Sequence, residues 1–174
     1  MADIKTKYPA TSSVDLTITL ASLASGSAGV YTTGRASTAV DNTTNVDLDA
    51  LLSGIIKLGT TPTVSRSVNV YAYANLSTAT GTPTYPDAIT GTDAAKTMTS
   101  ANIQNSALKF VASITTDATT GLNCPFGPVS VASLFGGVLP KFWGVFVAQD
   151  SAVALDATGT NHKLSYERIQ GQTV

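Results

Sequence analysis

Apolar and polar residues alternate with a period of two through most of this chain. Residues 66–76, RSVNVYAYANL, are the clearest case, with Val68 and Val70 on one side and Tyr71 and Tyr73 on the other. Period two is the side-chain repeat of a β-strand. The same alternation predicts strands within eight further segments: 14–20, 30–36, 45–59, 107–116, 128–135, 141–150, 152–158 and 162–170.

Residues 45–59, NVDLDALLSGIIKLG, fit two different periods. Their leucines and isoleucines match a helical stripe, but Gly54 interrupts it. The first residues alternate instead as Val-Asp-Leu-Asp, which is a strand pattern. We therefore predict a strand with a β-bulge at Ser53-Gly54.

The spacing of these segments predicts the fold class. Short strands recur every roughly 10 to 15 residues, which is typical of a sandwich. The one long interruption is a polar insertion near residues 77–105, in which a single helical turn fits residues 93–98. We predict an all-β, single-domain antiparallel β-sandwich, with a jelly roll of about eight or nine strands as the expected topology. Residues 1–13 are predicted to form an extended N-terminal arm, and residues 14–174 the domain.

Composition supports this fold and excludes several function classes. Thr (27 residues) and Ser (17) make up a quarter of the chain, and β-branched Thr favours strands. Ten Lys and Arg oppose eleven Asp and Glu, so the net charge of -1 predicts no nucleic-acid partner. No apolar run is long enough to span a bilayer, and the N-terminus has no apolar stretch typical of a secretory signal, so we expect no membrane partner.

Candidate catalytic groups are few. The chain has one histidine (His162), one cysteine (Cys124) and one glutamate (Glu167), and it lacks G-x-S-x-G and every phosphate-binding motif. A hydrolase needs a nucleophile, a base and an orienting group together, and a glycosidase needs two carboxylates across a cleft. We predict no catalytic residues and no enzyme, with a glycan hydrolase using Glu167 as the weaker rival.

Calcium is the metal that the sequence leaves open. Asp47 and Asp49 share one strand face, about 6.6 Å apart by the strand rise, and Asp41 and Asn42 can approach through the preceding turn. A solvated strand face is the favoured interpretation. We therefore predict no metal and no cofactor.

Tyr71 and Tyr73 alternate on one strand face between Asn69 and Asn75. Two exposed rings in this arrangement would form a platform on which a sugar stacks. Tyrosine is also enriched at half-buried and interface positions. The interface interpretation is favoured over the sugar platform.

Residues 140–150, PKFWGVFVAQD, are apolar on both faces of the predicted strand. One face carries Phe142, Gly144, Phe146 and Ala148; the other carries Trp143, Val145, Val147 and Gln149. An antiparallel sandwich normally leaves one face wet, so we expect the second face to lie under the chain's own arm or insertion, or under a neighbouring subunit. The predicted interface residues are Trp143, Val145, Val147, Tyr71 and Tyr73.

The C-terminal half resembles a family of small virion proteins of tailed bacteriophages. Residues 126–172 contain a Gly-Gly-x-Leu-Pro-x-x-Trp-Gly element at 136–144, an apolar strand and an ALDATG turn at 154–159. Residues 49–63 and 68–77 are similar to the mid-chain strand pair of the same group. A departure from the pattern is Gln-Asp-Ser-Ala after the apolar strand, where the family has Asn-x-Ser/Thr-Gly.

The resemblance implies a sandwich or jelly-roll capsid decoration (cement) protein without catalytic residues. It implies major capsid protein subunits and copies of itself, as a trimer, for partners. Such a protein is assembled in the bacterial host cytoplasm and lies on the capsid exterior of the virion. The expected contact elements are the N-terminal arm, the 77–105 insertion and the tail from Ile169. A phage tail or fibre component and a carbohydrate-binding or adhesin module remain the alternatives.

Overall fold

The computed structural model describes residues 3–76 and 83–173. Within these ranges the chain forms eleven β-strands, two short α-helices and one 3₁₀ turn. The strands are β1 (Ile4–Lys7), β2 (Ser13–Asp15), β3 (Thr33–Ala36), β4 (Val40–Asp41), β5 (Asp49–Lys57), β6 (Ser67–Ala74), β7 (Ala94–Thr97), β8 (Lys109–Thr115), β9 (Asn123–Ser130), β10 (Phe142–Gln149) and β11 (Lys163–Thr173). The helices are α1 (Ala101–Ala107) and α2 (Val131–Leu134), and the 3₁₀ turn is Gly159–Asn161.

The strands form two antiparallel sheets. Sheet 1 has the order β1-β11-β5-β9, and β2 also pairs with β11. Sheet 2 has the order β7-β3-β10-β6-β8, and β4 also pairs with β10. The predicted all-β class with two antiparallel sheets is confirmed.

The main core lies between the two sheets. Sheet 2 contributes Trp143, Val145 and Val147 from β10, and sheet 1 contributes Leu164 and Tyr166 from β11. The indole of Trp143 packs edge-to-face on the Tyr166 ring, with centroids 5.1 Å apart and planes at 77°. Trp143 is 0% exposed in the single chain, so this side of β10 is the inner face of the sandwich.

A second core covers the outer face of sheet 2. Phe146 and Ala148 of β10 and the two tyrosines of β6 pack there against Ile89, Met98 and Leu108. Ile89 and Met98 belong to the predicted insertion, and Leu108 follows α1. The chain's own segment therefore covers the second apolar face of β10. Residues 77–82 of that insertion lie outside the described residues.

The predicted bulge in β5 is confirmed. The register against β9 shifts between Leu52 and Gly54. A Cβ on Gly54 would lie 2.7 Å from the Lys163 carbonyl oxygen and 2.8 Å from the Phe126 ring. Glycine allows the neighbouring strand and this ring to approach so closely.

The predicted strand at 14–20 divides between the two sheets. Its first part is β2, and Leu16 still donates to the carbonyl of Leu164 in sheet 1. One residue later, the carbonyl of Thr17 accepts a hydrogen bond from Thr38 beside sheet 2. The segment crosses from one sheet to the other, which keeps its alternation but ends its pairing as a strand.

Three other local predictions are wrong. Residues 94–97 form β7 rather than a helical turn, and the helix lies at Ala101–Ala107, where the Ser100 hydroxyl caps it by accepting from Ile103 N–H. Residues 131–134, predicted as strand, form α2, capped in the same way by Ser130. Residues 152–158 form no strand. At 131–134 the Ser130 cap stabilises a helical turn in place of the predicted strand, and at 94–97 pairing with β3 holds the segment as a strand.

Candidate functional site

The five predicted interface residues lie in the interior of one chain. Trp143, Val145 and Val147 face the inter-sheet core. Tyr71 and Tyr73 lie under the insertion on the opposite face of sheet 2, at 7% and 0% exposure. Their burial therefore requires no neighbouring subunit. An intersubunit contact through them stays a prediction.

The two tyrosines offer no platform to a sugar. Tyr73 donates its hydroxyl to the Ser37 carbonyl at 2.7 Å, and burial raises its pKa far above the usual tyrosine value. Burial also raises the pKa of Tyr71, whose ring meets Phe110 edge-to-face with centroids 5.8 Å apart. Because both rings are buried, a sugar could stack on them only if the protein that covers them moved.

The candidate catalytic groups serve structural roles and do not converge. Both ring nitrogens of His162 contact backbone: Nδ1 accepts from Lys57 N–H at 3.3 Å, and Nε2 lies 2.9 Å from the Asp156 carbonyl. Burial raises the pKa of the Cys124 thiol, the opposite of what activates a nucleophile. Glu167 accepts from the Ser12 hydroxyl at an exposed position.

The carboxylates considered for calcium have separate partners. Asp49 accepts from the Ser130 hydroxyl at 2.6 Å and from the Ala132 N–H at 2.8 Å. Asp47 pairs with Arg168, and Asp41 accepts from Thr43. Within the described ranges no group of three His, Cys, Asp or Glu side chains is arranged to hold a metal. The prediction that these carboxylates lie on a solvated strand face is wrong for Asp47, which is buried.

The departure from the family pattern after β10 is a buried polar turn. Gln149, Asp150 and Ser151 are buried, and Ala152 adopts φ +68°, the left-handed region in which glycine is easiest. Burial alone would raise the pKa of Asp150, but N–H groups of Gly29 and Ser67, with the Tyr31 hydroxyl and Arg66, lower it below its usual value. The Asp150 carboxylate thus holds three chain segments together.

Exposed apolar side chains gather at one end of the sandwich, the end where β5 and β10 begin and β6 and β11 end. Among the described residues, the five most exposed large hydrophobic side chains lie there, between 57% and 76% exposed: Ile4, Val46, Leu48, Leu76 and Val138. We call these five the apolar end. Val64 lies at the opposite end. Its chain neighbour Thr63 donates its N–H to the carbonyl of Ser151, just after β10 ends.

A buried network holds the loop that presents Val46. The Asn42 side chain exchanges two hydrogen bonds with the backbone of Asp47, at 2.8 and 3.0 Å. The Asp47 carboxylate accepts from the guanidinium of Arg168 and from the amide of Gln170. The loop is therefore fixed on sheet 1.

Val46 is conformationally unfavourable where it stands. Its φ is +48°, a region that a β-branched residue rarely adopts, and its side chain is 72% exposed. A backbone outlier of this kind costs about 1–3 kcal/mol. Burial within this chain does not offset that cost.

Residues 4–7 and 170–173 form a two-stranded ribbon beside this loop. Strand β1 pairs with the last residues of β11, from Ile4 opposite Thr173 to Lys7 opposite Gln170. A methyl group of Leu48 and one of Ile4 lie 3.3 and 3.5 Å from the position that a Cβ on Gly171 would occupy. Two of the expected contact elements, the arm and the tail, are thus brought together by pairing with each other.

A shallow groove continues the apolar end toward sheet 2. It has a volume of about 400 Å³ and is lined by Asn42, Thr43, Val46, Asp47, Leu48, Leu139 and Lys141. Gly136 and Gly137, at φ +80° and +89°, turn the chain after α2 and leave Val138 exposed. Its two titratable lining residues are Asp47, whose carboxylate is bound by Arg168, and Lys141.

Sequence reasoning missed the role of Val46 and Leu48. Their alternation with Asp47 and Asp49 indicated apolar residues inside and carboxylates outside, and the structure has the reverse. Arg168 lies on the inward face of β11 with Leu164 and Tyr166, where its charge needs a buried anion as partner. This arginine is the sequence signal that an aspartate, rather than Val46 or Leu48, faces inward. Its partner could not be read from one segment alone.

Within the part of the chain that the structure describes, no helix has the length and apolar character required to cross a membrane. Comparison with protein-family models, with curated proteins and with solved structures returns no match to this chain.

Proposed function

We propose that this chain is a non-enzymatic structural protein of a tailed-phage virion, and specifically a capsid decoration (cement) protein. The observation that carries the proposal is the apolar end. Together with the family resemblance in residues 126–172, it supports a protein whose work is to adhere to other subunits. The proposed partners are major capsid protein subunits and further copies of the chain as a trimer, on the capsid exterior.

The isolated chain carries two unfavourable features at the apolar end that it does not compensate. Val46 takes an unfavourable backbone conformation and an exposed position at once. Single exposed apolar residues are ordinary on a protein surface, but a group of them at one end indicates a contact site. Burial of apolar area in a subunit contact would offset these costs, and symmetry would multiply each modest contact.

The jelly roll belongs to the same proposal. A jelly roll consists of two four-stranded sheets connected as Greek keys. The orders β2-β11-β5-β9 and β3-β10-β6-β8 support this topology. The chain passes back and forth between the two sheets, and its last two strands, β10 and β11, each lie between two other strands of their own sheet. On this interpretation β1, β4 and β7 are additions to the eight-stranded framework.

A binding assay with phage heads tests the proposal. The purified chain is mixed with undecorated heads and with separated tails, and particle-bound protein is measured by sedimentation and located by electron microscopy. We expect saturable binding to the head lattice. Failure to bind heads would contradict the proposal, and binding to tails alone would favour the tail or fibre alternative.

Matched variants show whether the apolar end makes the contact. Val46→Asn and Leu48→Asn should each weaken head binding at least tenfold. Val64→Asn is the control, because Val64 is 54% exposed at the opposite end. Equal binding by all three variants would contradict the proposed contact while leaving attachment to heads intact.

A further inference from the structure

Strand β1 lies at an open edge of sheet 1. It pairs with β11 on one side, and no described strand pairs with its other side. All four of its residues are exposed. An open edge of this kind presents unpaired N–H and C=O groups to which an extended segment can add as a further strand.

The two faces of β1 differ in chemistry. Ile4 and Thr6 point to one face, and the Leu48 and Ile4 methyl groups meet there over Gly171. Lys5 and Lys7 point to the other face, opposite Gln172 and Gln170. Neither lysine takes part in an ion pair within the described residues.

We infer that the free edge of β1 accepts an extended segment of a partner protein in which acidic and apolar residues alternate. The inference rests on the proposed function and names the chemistry of the partner. A strand that adds to β1 has the same two-residue period, so one set of its side chains faces Ile4 and the other faces Lys5 and Lys7. Apolar residues suit the first face and carboxylates suit the second.

A second copy of the chain does not fit this edge. Two β1 strands side by side would bring four lysines together, and edge lysines act against such self-pairing. The chain's own acidic–apolar alternation lies at 46–49, where Asp47 is bound to Arg168 and Asp49 to Ser130. That segment is therefore already used within the fold. The occupant is a different protein, and trimer formation has to use another surface.

Two short peptides test the inference. An eight-residue peptide of alternating Glu and Val, capped at both ends, is titrated into the ¹⁵N-labelled chain, and a Lys and Val peptide of the same length is the control. We expect amide shifts at residues 4–7 and 170–173 with the Glu peptide, at least tenfold weaker binding of the Lys peptide, and weaker binding at high salt. No shifts, equal binding of both peptides, or shifts confined to other strands would overturn the inference.

A charge-reversed variant distinguishes recognition of charge at β1 from nonspecific peptide binding. The double substitution Lys5→Glu/Lys7→Glu should reverse the preference, so that the Lys peptide binds more tightly by at least tenfold. Both substituted positions are exposed, so we expect the fold to be retained. An unchanged preference would contradict the role of the two lysines.

The same variant distinguishes this inference from the proposed function. If the Lys5→Glu/Lys7→Glu variant prefers the Lys peptide but binds phage heads as well as the original chain does, the edge is not the head contact and the inference fails. Head binding would then be attributed to the apolar end alone. If the original chain binds no heads, the proposed function fails, and with it the partner assignment. If the variant loses head binding in parallel with the reversed preference, both are supported.

Discussion

The Asp47 carboxylate accepts two hydrogen bonds from the Arg168 guanidinium, at 2.9 Å from Nε and 3.1 Å from Nη2. This pair joins the loop before β5 to the central part of β11. Val46 and Leu48, the chain neighbours of Asp47, are both exposed. The stability of the apolar end therefore depends on an ion pair that is largely buried.

Arg168→Leu should destabilise the chain by about 3 kcal/mol, because it leaves the Asp47 carboxylate buried without its cation. Denaturant unfolding measures the change in free energy. The double variant Asp47→Asn/Arg168→Leu should recover part of the loss, since no uncompensated charge remains. If the two changes are additive, the residues do not act as a pair.

Val46→Asn should stabilise the isolated chain by about 1 kcal/mol, because asparagine tolerates the left-handed backbone better than a β-branched residue does. The midpoint of urea unfolding reports the gain. Val64→Asn, at an exposed valine without a positive φ, should change stability by less than about 0.5 kcal/mol. Destabilisation by Val46→Asn would show that the valine side chain makes contacts within the chain.

Gly144→Ala should destabilise the chain by about 2 kcal/mol through overpacking. A Cβ at this position would lie 2.5 Å from the Tyr73 ring, which is fully buried and bound to the Ser37 carbonyl. Thermal unfolding measures the loss. Gly159→Ala is the matched control, because no atom lies within 4 Å of its added methyl group. Equal effects of both substitutions would contradict close packing at Gly144.

The pKa of Asp150 is lowered in the fold, so its carboxylate favours folding only while it is ionised. This contribution is complete above the unfolded-state pKa of about 3.9 and is lost as the pH falls toward the lower folded-state pKa. The difference in unfolding free energy between the original chain and Asp150→Asn should therefore narrow below about pH 4.

Urea unfolding at several pH values measures that difference. Val64→Asn serves as a variant with no titrating group, and its difference from the original chain should not change with pH. A pH-independent difference for Asp150→Asn would contradict the role of the ionised carboxylate.

Trp143 should be shielded from solvent even when the chain is monomeric. Its fluorescence should resist quenching by iodide equally at high and low protein concentration, because the inter-sheet core buries it. Analytical ultracentrifugation on the same samples reports the oligomeric state. Quenching that appears only on dilution to the monomer would show that a neighbouring subunit supplies the cover.

Several features of the fold were predictable because they are local. The two-residue period of residues 67–74 placed Val68 and Val70 on the face opposite Tyr71 and Tyr73, and the structure confirms this division. Gly54 marked the bulge in β5, because glycine permits the close approach there. These properties follow from backbone sterics within a few residues.

The contacts of the candidate site were less predictable. The arm and tail were expected to make contacts, but not to pair with each other. Asp47 was expected on a solvated strand face, but it is buried against Arg168, more than 100 residues away in the chain. A burial pattern read from one strand cannot include an anion–cation pair that another strand completes.

The sequence by itself determined the all-β class, the main strands and the two apolar faces of β10, since each follows from the alternation of side chains along one segment. Only the tertiary structure decided what covers the second face, which carboxylates are buried, and where apolar residues remain exposed. These depend on contacts between segments distant in the chain. Here the insertion around Ile89 and Met98 covers sheet 2, and the apolar end is left at the surface.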